Sequence, residues 1–262
     1  MQITQDIGMP YMTSYELWRG DRFDIVAGEM VPLVVLATCI KTVSTNSKTG
    51  WMVQVYIVRR DMSPQDAVNI GADSAVCGSC PLRWYTVKQA GGTVTIEGKA
   101  TKCYVVPMFL STTWESWAKG NVPCIEPEEA GIIFGKLGLP QRAGAYGDPA
   151  FAPTWVWEAI DRGIEKHRKR GIKRGTSYTH QWRDCDPAMA KFAMASVGSL
   201  EEAKEAWAAG WRTYRMTKPD EGPTKNELVC LFTTHKIQCA DCGRCDGNRT
   251  GGKSITVPAI MK

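Results

Sequence analysis

The C-terminal part of the chain carries a dense group of cysteines. Cys239, Cys242 and Cys245 follow one another at C-x-x-C-x-x-C spacing, and Cys230 lies a short distance upstream. Thiolates are soft ligands, and two-residue spacings let successive sulfurs turn onto one ion. Four sulfurs leave no coordination position open. This group therefore predicts a closed site that holds a structural zinc ion or a fully ligated 4Fe–4S cluster.

A sparser group of cysteines lies in the first half of the chain. Cys77 and Cys80 stand in the motif C-G-S-C-P-L-R, and Cys103 follows in C-Y-V. Three thiolates leave one coordination position open, as catalytic metal sites do, so this group predicts a 4Fe–4S cluster with one free iron. The alternatives are ligands shared between the two groups, or a zinc site completed by a distant side chain. The candidates for that side chain are Cys124, Cys185 and His235.

Polar side chains also follow two predicted strands. Asp148 lies in G-D-P after the strand predicted at 141–146, His180 ends the strand predicted at 175–180, and Arg183 follows it. Parallel α/β folds collect functional side chains at the carboxyl ends of their strands, so these three are candidate catalytic residues. The structural alternatives are an Asp-Pro turn in which Asp148 caps the next helix, and a buried histidine with a purely structural role.

The chain is mildly basic, with 32 Lys and Arg against 27 Asp and Glu and a formal net charge of +5. The cations are densest at 162–175, which predicts either contacts with nucleic-acid phosphates or a solvated helix face. The charge permits a small-molecule, nucleotide or nucleic-acid partner without requiring one.

The sequence predicts neither secretion nor membrane insertion. Its first residues lack the basic and apolar segments of a secretory signal, and apolar runs such as 31–37 are far too short to span a bilayer. We therefore expect a cytoplasmic protein. Thiols stay reduced in a cytoplasm, so clustered cysteines indicate metal ligands rather than disulfides.

The periodicity of the sequence predicts short strands that alternate with helices. The predicted strands cover residues 31–40, 51–58, 103–107, 141–146, 175–180, 191–197, 211–216, 227–231 and 254–257, with a hairpin at 90–98. The predicted helices begin near 63 and cover 111–120, 126–137, 153–170 and 199–210.

This alternation predicts an α/β fold, a single (β/α) barrel-like domain over 1–262 with parallel strands and cysteine-rich metal-binding loops. About eight strands is the number that a closed barrel of this kind needs. Residues 1–50 are expected to form a less regular N-terminal segment, and residues 51–262 the barrel-like core with the metal sites.

Taken together, several motifs resemble a family of cysteine-rich proteins carried by bacteriophages and some bacteria. They are NSKTGWMVQ (46–54), CGSCPLR (77–83), CYV (103–105), AYGDPA (145–150), SYTHQW (177–182), MASV (194–197), GWRTYR (210–215) and the terminal CxxCxxC. The resemblance covers most of 45–250 and implies a phage-type protein in the host cytoplasm, but no particular activity. The chain departs from the family at 230–233, where C-L-F-T replaces C-P-A-S, and a histidine expected after the last strand is missing. Its absence weakens the hypothesis that a histidine completes the terminal metal site.

A barrel with an open three-cysteine site is similar, more distantly, to radical S-adenosylmethionine enzymes. Their compact C-x-x-x-C-x-x-C is missing here, and a C-x-x-C pair with a remote third cysteine resembles the radical subunit of carbon–phosphorus lyase. This resemblance implies that Cys77, Cys80 and Cys103 hold the cluster and that its free iron binds S-adenosylmethionine.

The first expected function is thus an iron–sulfur enzyme, radical S-adenosylmethionine-like, acting on a nucleotide or nucleic-acid-related substrate. The second is a zinc-stabilised nucleic-acid-binding protein of phage replication or DNA modification without redox chemistry. A third is a barrel transglycosylase that acts on a base, with Asp148 as nucleophile.

Overall fold

The computed structural model describes residues 11–24, 26–83, 85–90, 93–99, 103, 105–218 and 220–258, with backbone alone at 85–90, 93–99 and 250. The strands within these residues are β1 (Tyr15–Asp24), β2 (Glu29–Thr38), β3 (Val53–Arg59), β4 (Tyr85–Ala90), β5 (Thr93–Lys99), β6 (Gln141–Tyr146), β7 (Gly175–Thr179), β8 (Met194–Val197), β9 (Thr213–Thr217), β10 (Glu227–Val229) and β11 (Ser254–Pro258).

Nine of these described strands form one open mixed sheet, in the order β1-β2-β3-β6-β7-β8-β9-β11-β10, while β4 and β5 form a separate hairpin. β1, β2 and β3 are antiparallel neighbours, and the remaining neighbours in the sheet are parallel. The predicted α/β class is confirmed. Closure into a barrel is not seen among the described strands, because the sheet ends in an antiparallel meander at β1 and in a three-residue edge strand at β10.

The N-terminal segment is more regular than its sequence predicts, since β1 and β2 are ten-residue strands. β1 mixes apolar residues with charges, and one of those charges faces inward. Glu16 is 1% exposed, and its carboxylate accepts hydrogen bonds from Trp117 Nε1 and Arg19 Nη2, both at 2.6 Å. A buried carboxylate interrupts the apolar alternation by which a strand is recognised, which explains why the periodicity does not predict β1.

The helices of the described residues are α1 (Pro64–Asn69), α2 (Ser74–Cys77), α3 (Pro107–Ala118), α4 (Pro127–Leu137), α5 (Thr154–His167), α6 (Leu200–Ala208), α7 (Leu231–His235) and α8 (Cys239–Cys242). α4 and α5 are in close contact at a glycine. A Cβ atom on Gly131 would lie 2.1 Å from the Ile160 carbonyl oxygen, so the backbones touch directly. No helix among the described residues is long and apolar enough to cross a membrane.

Most predicted elements are confirmed, and two helix starts are confirmed in detail. The backbone N–H of Asp66 donates to Ser63 Oγ at 3.1 Å, and that of Glu202 donates to Ser199 Oγ at 3.1 Å. The strand predicted at 103–107 is wrong, because Pro107 opens α3 four residues before the predicted helix start. Pro is favoured at the first helical position, where its missing N–H costs nothing. The turn of the predicted hairpin, at 91–92, lies outside the described residues.

The two faces of the sheet pack against different parts of the chain. Successive side chains of a strand point to opposite faces. On β8, Ala195 and Val197 join the main core, which includes buried residues of α6. Met194 instead joins Ile255 and Cys245 in a small second core on the other face. The cysteine-rich C-terminal segment therefore covers the sheet face opposite α6.

Candidate functional site

The loop that carries Cys77 and Cys80 docks at the carboxyl ends of β6 and β7. The backbone N–H of Asp148 donates to the Val76 carbonyl at 2.6 Å, and Gln181 Nε2 donates to the Cys77 carbonyl at 3.3 Å. Ser79 Oγ donates to Gln181 Oε1 at 3.2 Å. These bonds place the C-x-x-C pair at the sheet edge where parallel α/β folds bind their ligands.

A glycine lets this loop lie close to the sheet edge. Gly78 has φ +53°, and a Cβ atom there would lie 2.6 Å from the Phe151 ring and 2.7 Å from Gln181 Oε1. Arg22 also packs on that ring, with its guanidinium carbon 3.5 Å from the ring centroid. The loop is thus packed against Phe151 and cannot shift toward the sheet without moving that ring.

Cys77, Cys80 and Cys103 are close enough for their charges to interact. Burial raises the pKa of Cys77 well above its ordinary value, and negative charge on Asp73, Cys80 and Cys103 adds to the effect. Burial also raises the pKa of Cys80 to about 12. None of the ten cysteines, all within the described residues, forms a disulfide. The thiols of Cys77 and Cys80 are therefore protonated at neutral pH, and a metal that binds them must release those protons.

Arg83 supplies positive charge beside these thiols, and that charge lowers the pKa of both Cys77 and Cys80. Its guanidinium forms a two-pronged ion pair with Asp73, with Nη2 to Oδ1 at 2.6 Å and Nε to Oδ2 at 3.2 Å. Nη2 also donates to the Gly71 carbonyl at 2.7 Å. In the sequence, Arg83 stands in the motif C-P-L-R, but the motif alone does not indicate this electrostatic role.

Tyr146, the last residue of β6, is 4% exposed, and its hydroxyl has no hydrogen-bond partner among the described residues. Burial raises the pKa of Tyr146 well above its ordinary value, and the charges of Cys77, Asp73 and Cys103 raise it further. A buried hydroxyl without a partner costs about 1–3 kcal/mol. Its place beside the thiols leaves this hydroxyl available to donate a hydrogen bond there.

Asp148 lies beside the cysteine loop but acts as a structural clamp. It is 6% exposed, and its carboxylate accepts hydrogen bonds from the backbone N–H groups of Ala150, at 3.0 Å, and His180, at 2.8 Å. Burial raises the pKa of Asp148, and these bonds, with one from the Thr179 hydroxyl, partly offset that rise. The structure therefore matches the Asp-Pro cap, and the clamp ties the end of β6 to the end of β7.

The other two candidate catalytic residues, His180 and Arg183, have surroundings that differ from those of Asp148. Burial lowers the pKa of His180 to about 4, so its ring is neutral at physiological pH. Arg183 turns toward α6, where Nη2 lies 2.6 Å from Glu205 Oε2, and its guanidinium stacks 4.0 Å from the Trp182 ring centroid. Asp148 and His180 therefore meet through a backbone hydrogen bond, while Arg183 is ion-paired with a carboxylate on α6.

Of the three candidate fourth ligands, only Cys185 lies near this edge, where the charge of Asp148 acts on both Cys185 and Cys80. Cys124 lies beside Glu16 at the start of β1. His235 Nδ1 lies 2.7 Å from the Thr234 hydroxyl on exposed α7.

The four C-terminal cysteines line one narrow cavity on the sheet face opposite α6. Its free volume is about 20 Å³, and its lining includes Cys230, Cys239, Cys242, Cys245, Tyr178 and Tyr214. The segment is anchored by backbone bonds. Cys239 N–H donates to the Lys48 carbonyl and Ser177 N–H to the Cys245 carbonyl, each at 3.0 Å. These bonds fix both ends of the C-x-x-C-x-x-C run.

The thiols of this second group also interact electrostatically with each other. Burial raises the pKa of Cys245 to about 12, while a hydrogen bond with the Tyr178 side chain lowers it. Burial raises the pKa of Cys239 to about 11, and the positive charges of Lys48 and Arg142 partly offset this rise. Tyr178 is half-buried on β7, and its ring centroid lies 4.5 Å from that of Tyr214 on β9. The strand pattern alone does not distinguish these two tyrosines from ordinary core residues.

The two cysteine groups are distinct, since the strongest thiolate effects on each of these thiols come from its own group. No three His, Cys, Asp or Glu side chains among the described residues converge closely enough to hold a metal ion. Metal binding at either group therefore requires the ligands to lie closer together than they do in this structure. Comparisons with known protein families, curated proteins and solved structures find no match to this chain.

Proposed function

We propose that this protein is a metal–thiolate enzyme whose reaction centre is the group of Cys77, Cys80 and Cys103. The observation that carries the proposal is the position of the C-x-x-C loop at the carboxyl ends of β6 and β7, bound there by Gln181. Parallel sheets bind substrates and cofactors at this edge. The parallel strands β3, β6, β7, β8 and β9 also follow one another in chain order, as in a barrel, which supports an open barrel-like architecture.

Three features support a bound group at this site. The donor set consists of three soft thiols, which suits iron–sulfur iron or zinc. The Tyr146 hydroxyl is buried without a partner in the described part of the chain, so a bound group would satisfy it. Arg83 lies where its charge offsets that of the thiolates. A 4Fe–4S cluster held by three cysteines would supply an iron with an open position for a cofactor such as S-adenosylmethionine.

The roles of the chain's own residues follow from their contacts. Gln181 fixes the loop through the Cys77 carbonyl, and Asp148 holds the ends of β6 and β7 together. Phe151 packs against Gly78 and excludes water from that side. The proposed substrate is a nucleotide or a nucleic-acid-related molecule, in keeping with the basic charge of the chain.

For the C-terminal group we propose a structural zinc ion on Cys230, Cys239, Cys242 and Cys245. A free volume of about 20 Å³ exceeds one water-sized sphere only slightly, which suits a single ion better than a cluster of four irons. Four thiolates form the closed shell of structural zinc sites. The ion would join α8 to the end of β10, an edge strand of the sheet.

The second candidate function is a zinc-stabilised nucleic-acid-binding protein without redox chemistry. The small cavity of the C-terminal group is compatible with it, because a structural zinc at that group needs no iron. In this case Cys77, Cys80 and Cys103 would hold zinc as well, with Cys185 as the nearest candidate fourth ligand.

Metal analysis of the protein purified without oxygen separates the two functions. The enzyme proposal expects a brown protein with about four irons, four sulfides and one zinc per chain. A colourless protein with about two zinc ions per chain would contradict the enzyme proposal and support the second function. A metal-free protein that also fails to bind added iron or zinc would contradict both.

A further inference from the structure

A basic cavity lies at the edge of the sheet opposite the three-cysteine group. It has a free volume of about 270 Å³, and the described residues that line it include four cations and no acid. The cations are Lys173, Arg212, Arg244 and Lys253. Three of them precede strands, since β7 begins at Gly175, β9 at Thr213 and β11 at Ser254. The cavity thus gathers positive charge from the amino ends of three parallel strands and from the cysteine loop.

Arg212 builds this cavity by holding its walls together. It is 8% exposed, and its Nη2 donates to the carbonyl oxygens of Arg244, at 2.7 Å, and Lys253, at 2.8 Å. Asp246 Oδ1 lies 3.5 Å from its Nη1. The guanidinium therefore links the loop that carries Arg244 to the loop that carries Lys253 and sets the distance between the two loops.

A close approach of backbone to side chain fixes the position of Lys173. Gly243 ends α8 with φ +62°, and a Cβ atom there would lie 2.6 Å from Lys173 Cγ. The aliphatic stem of Lys173 therefore packs on the cysteine loop, while the residue as a whole stays exposed. This packing holds its ammonium group near the cavity at a smaller entropy cost than a free surface lysine would carry.

The basic stretch 162–175 contains cations in different settings. Arg162 and Lys166 bind Glu128, and Arg168 and Arg174 bind Glu165, so each of these four cations is ion-paired at the surface.

The exposed cations of the basic cavity differ from those four, which are ion-paired. No carboxylate of a described residue lies within ion-pair distance of Lys173, Arg244 or Lys253, and the cavity lining contains no acid among the described residues. Exposed cations that converge on a cavity without an acid indicate an anionic ligand.

We infer that this basic cavity binds a phosphate group, carried by a free nucleotide or by a nucleic-acid backbone. Three exposed cations around a fixed arginine match the charge and the several acceptor oxygens of a phosphate. A volume of about 270 Å³ exceeds one phosphate ion and approaches the range of small-molecule pockets. This inference deepens the second candidate function and does not depend on catalysis at the three-cysteine group.

The test uses the full chain and two probes, a fluorescein-labelled single-stranded oligonucleotide followed by anisotropy and adenosine monophosphate followed by calorimetry. The variant is Lys173→Ala/Lys253→Ala. The matched control is Lys119→Ala/Lys204→Ala, which removes two exposed lysines from other parts of the surface. We expect the first variant to lose at least about tenfold in affinity and the control to stay within about twofold. For the single-stranded oligonucleotide, the magnitude of the slope of log affinity against log salt should fall by about 1.4 in the first variant, about 0.7 for each lysine removed.

Each outcome decides the inference. Loss of affinity for both probes assigns the cavity to a free nucleotide, and loss for the oligonucleotide alone assigns it to a backbone phosphate. Equal loss in variant and control, or unchanged affinity in both, would overturn it, as would the failure of both probes to bind. A loss of bound zinc with unchanged phosphate affinity would also overturn it and assign the lysines to the thiolate site. Metal analysis tests the proposed function separately. A failure of the phosphate inference can therefore be distinguished from a failure of the proposed function.

Discussion

Tyr146 is the residue that most directly tests the proposed three-cysteine site. Its hydroxyl is buried beside Cys77 and Cys103 and finds no partner in the described residues. We predict that Tyr146→Phe stabilises the chelator-treated protein by about 1–2 kcal/mol, because it removes a buried, unsatisfied hydroxyl. The same variant should gain less stability than the native chain when metal is restored. Urea unfolding with and without chelator measures both effects.

The matched control is Tyr178→Phe, because the Tyr178 hydroxyl bonds Cys245. That variant should destabilise the chelated protein by about 1 kcal/mol. A Tyr146→Phe protein that is less stable than the native chain in both states would show that the hydroxyl has a partner and that the site needs no donor.

The half-buried ring of His180 predicts a loss of stability in mild acid. Its folded pKa is about 4 and its ordinary value is 6.5, so between these values the unfolded chain binds a proton that the folded chain does not. The free energy of unfolding should therefore fall as pH drops from about 6.5 to about 4, by up to about 3 kcal/mol.

Replacing His180 with Gln should flatten this part of the pH profile, as measured by denaturant unfolding of the chelated protein at several pH values. The double-histidine control His167→Gln/His235→Gln should keep the native slope. An unchanged slope in His180→Gln would show that other groups carry the acid sensitivity.

The residues of the site differ in how far the sequence predicts them. Cysteine spacing predicts two groups of sulfurs because metal-type spacings are local in the chain, and the charge effects among the thiols follow the same grouping. The position of Arg183 after a strand favours it as a site residue, yet a carboxylate on α6 holds it, while Asp73 directs Arg83 to the thiols. Such differences depend on ion pairs between elements whose relative position the sequence does not show.

At the scale of elements, the loop 77–80 depends on a conformation that only glycine adopts readily. Gly78 has φ +53° and ψ −129°, with Phe151 and Gln181 where a Cβ atom would lie. We predict that Gly78→Ala costs at least about 2 kcal/mol, from backbone strain and from the displaced ring. Thermal or urea unfolding measures this cost.

Gly120→Ala is the matched control, since Gly120 has φ +76° and a Cβ atom there would meet nothing within 4 Å. It should cost about 1 kcal/mol from backbone strain alone. Equal costs for the two substitutions would show that the loop does not press on Phe151 and is free to move.

Two helix starts are predictable from local signals in this chain. Ser63 and Ser199 are local signals, and both cap the helices expected of them. The periodicity does not predict β1, because the strand contains the buried Glu16. The carboxylate of Glu16 accepts a hydrogen bond from Trp117 on α3, which is far away in the sequence. The prediction of a closed barrel rests on the number of predicted strands. That number does not show that β1 and β2 pair in the antiparallel direction.

At the scale of the whole molecule, the open sheet separates three candidate sites. The three-cysteine group occupies the carboxyl edge, the four-cysteine group covers one face, and the basic cavity lies at the amino edge. Cys242 lines both the four-cysteine cavity and the basic cavity, so a metal on this group and a phosphate ligand would share one wall. Because the two cysteine groups are separate, we predict that metal bound at one group can be removed without loss of metal from the other.

The most direct measurement is the iron and zinc content of Cys103→Ser, purified without oxygen beside the native chain and Cys124→Ser. Cys124 lies in neither group, so its variant should keep all the metal of the native chain. We predict that Cys103→Ser loses its iron and colour, keeps about one zinc per chain and stays folded. Loss of zinc together with iron from a folded Cys103→Ser protein, or a native chain without iron, would contradict an open cluster at the carboxyl edge of the sheet.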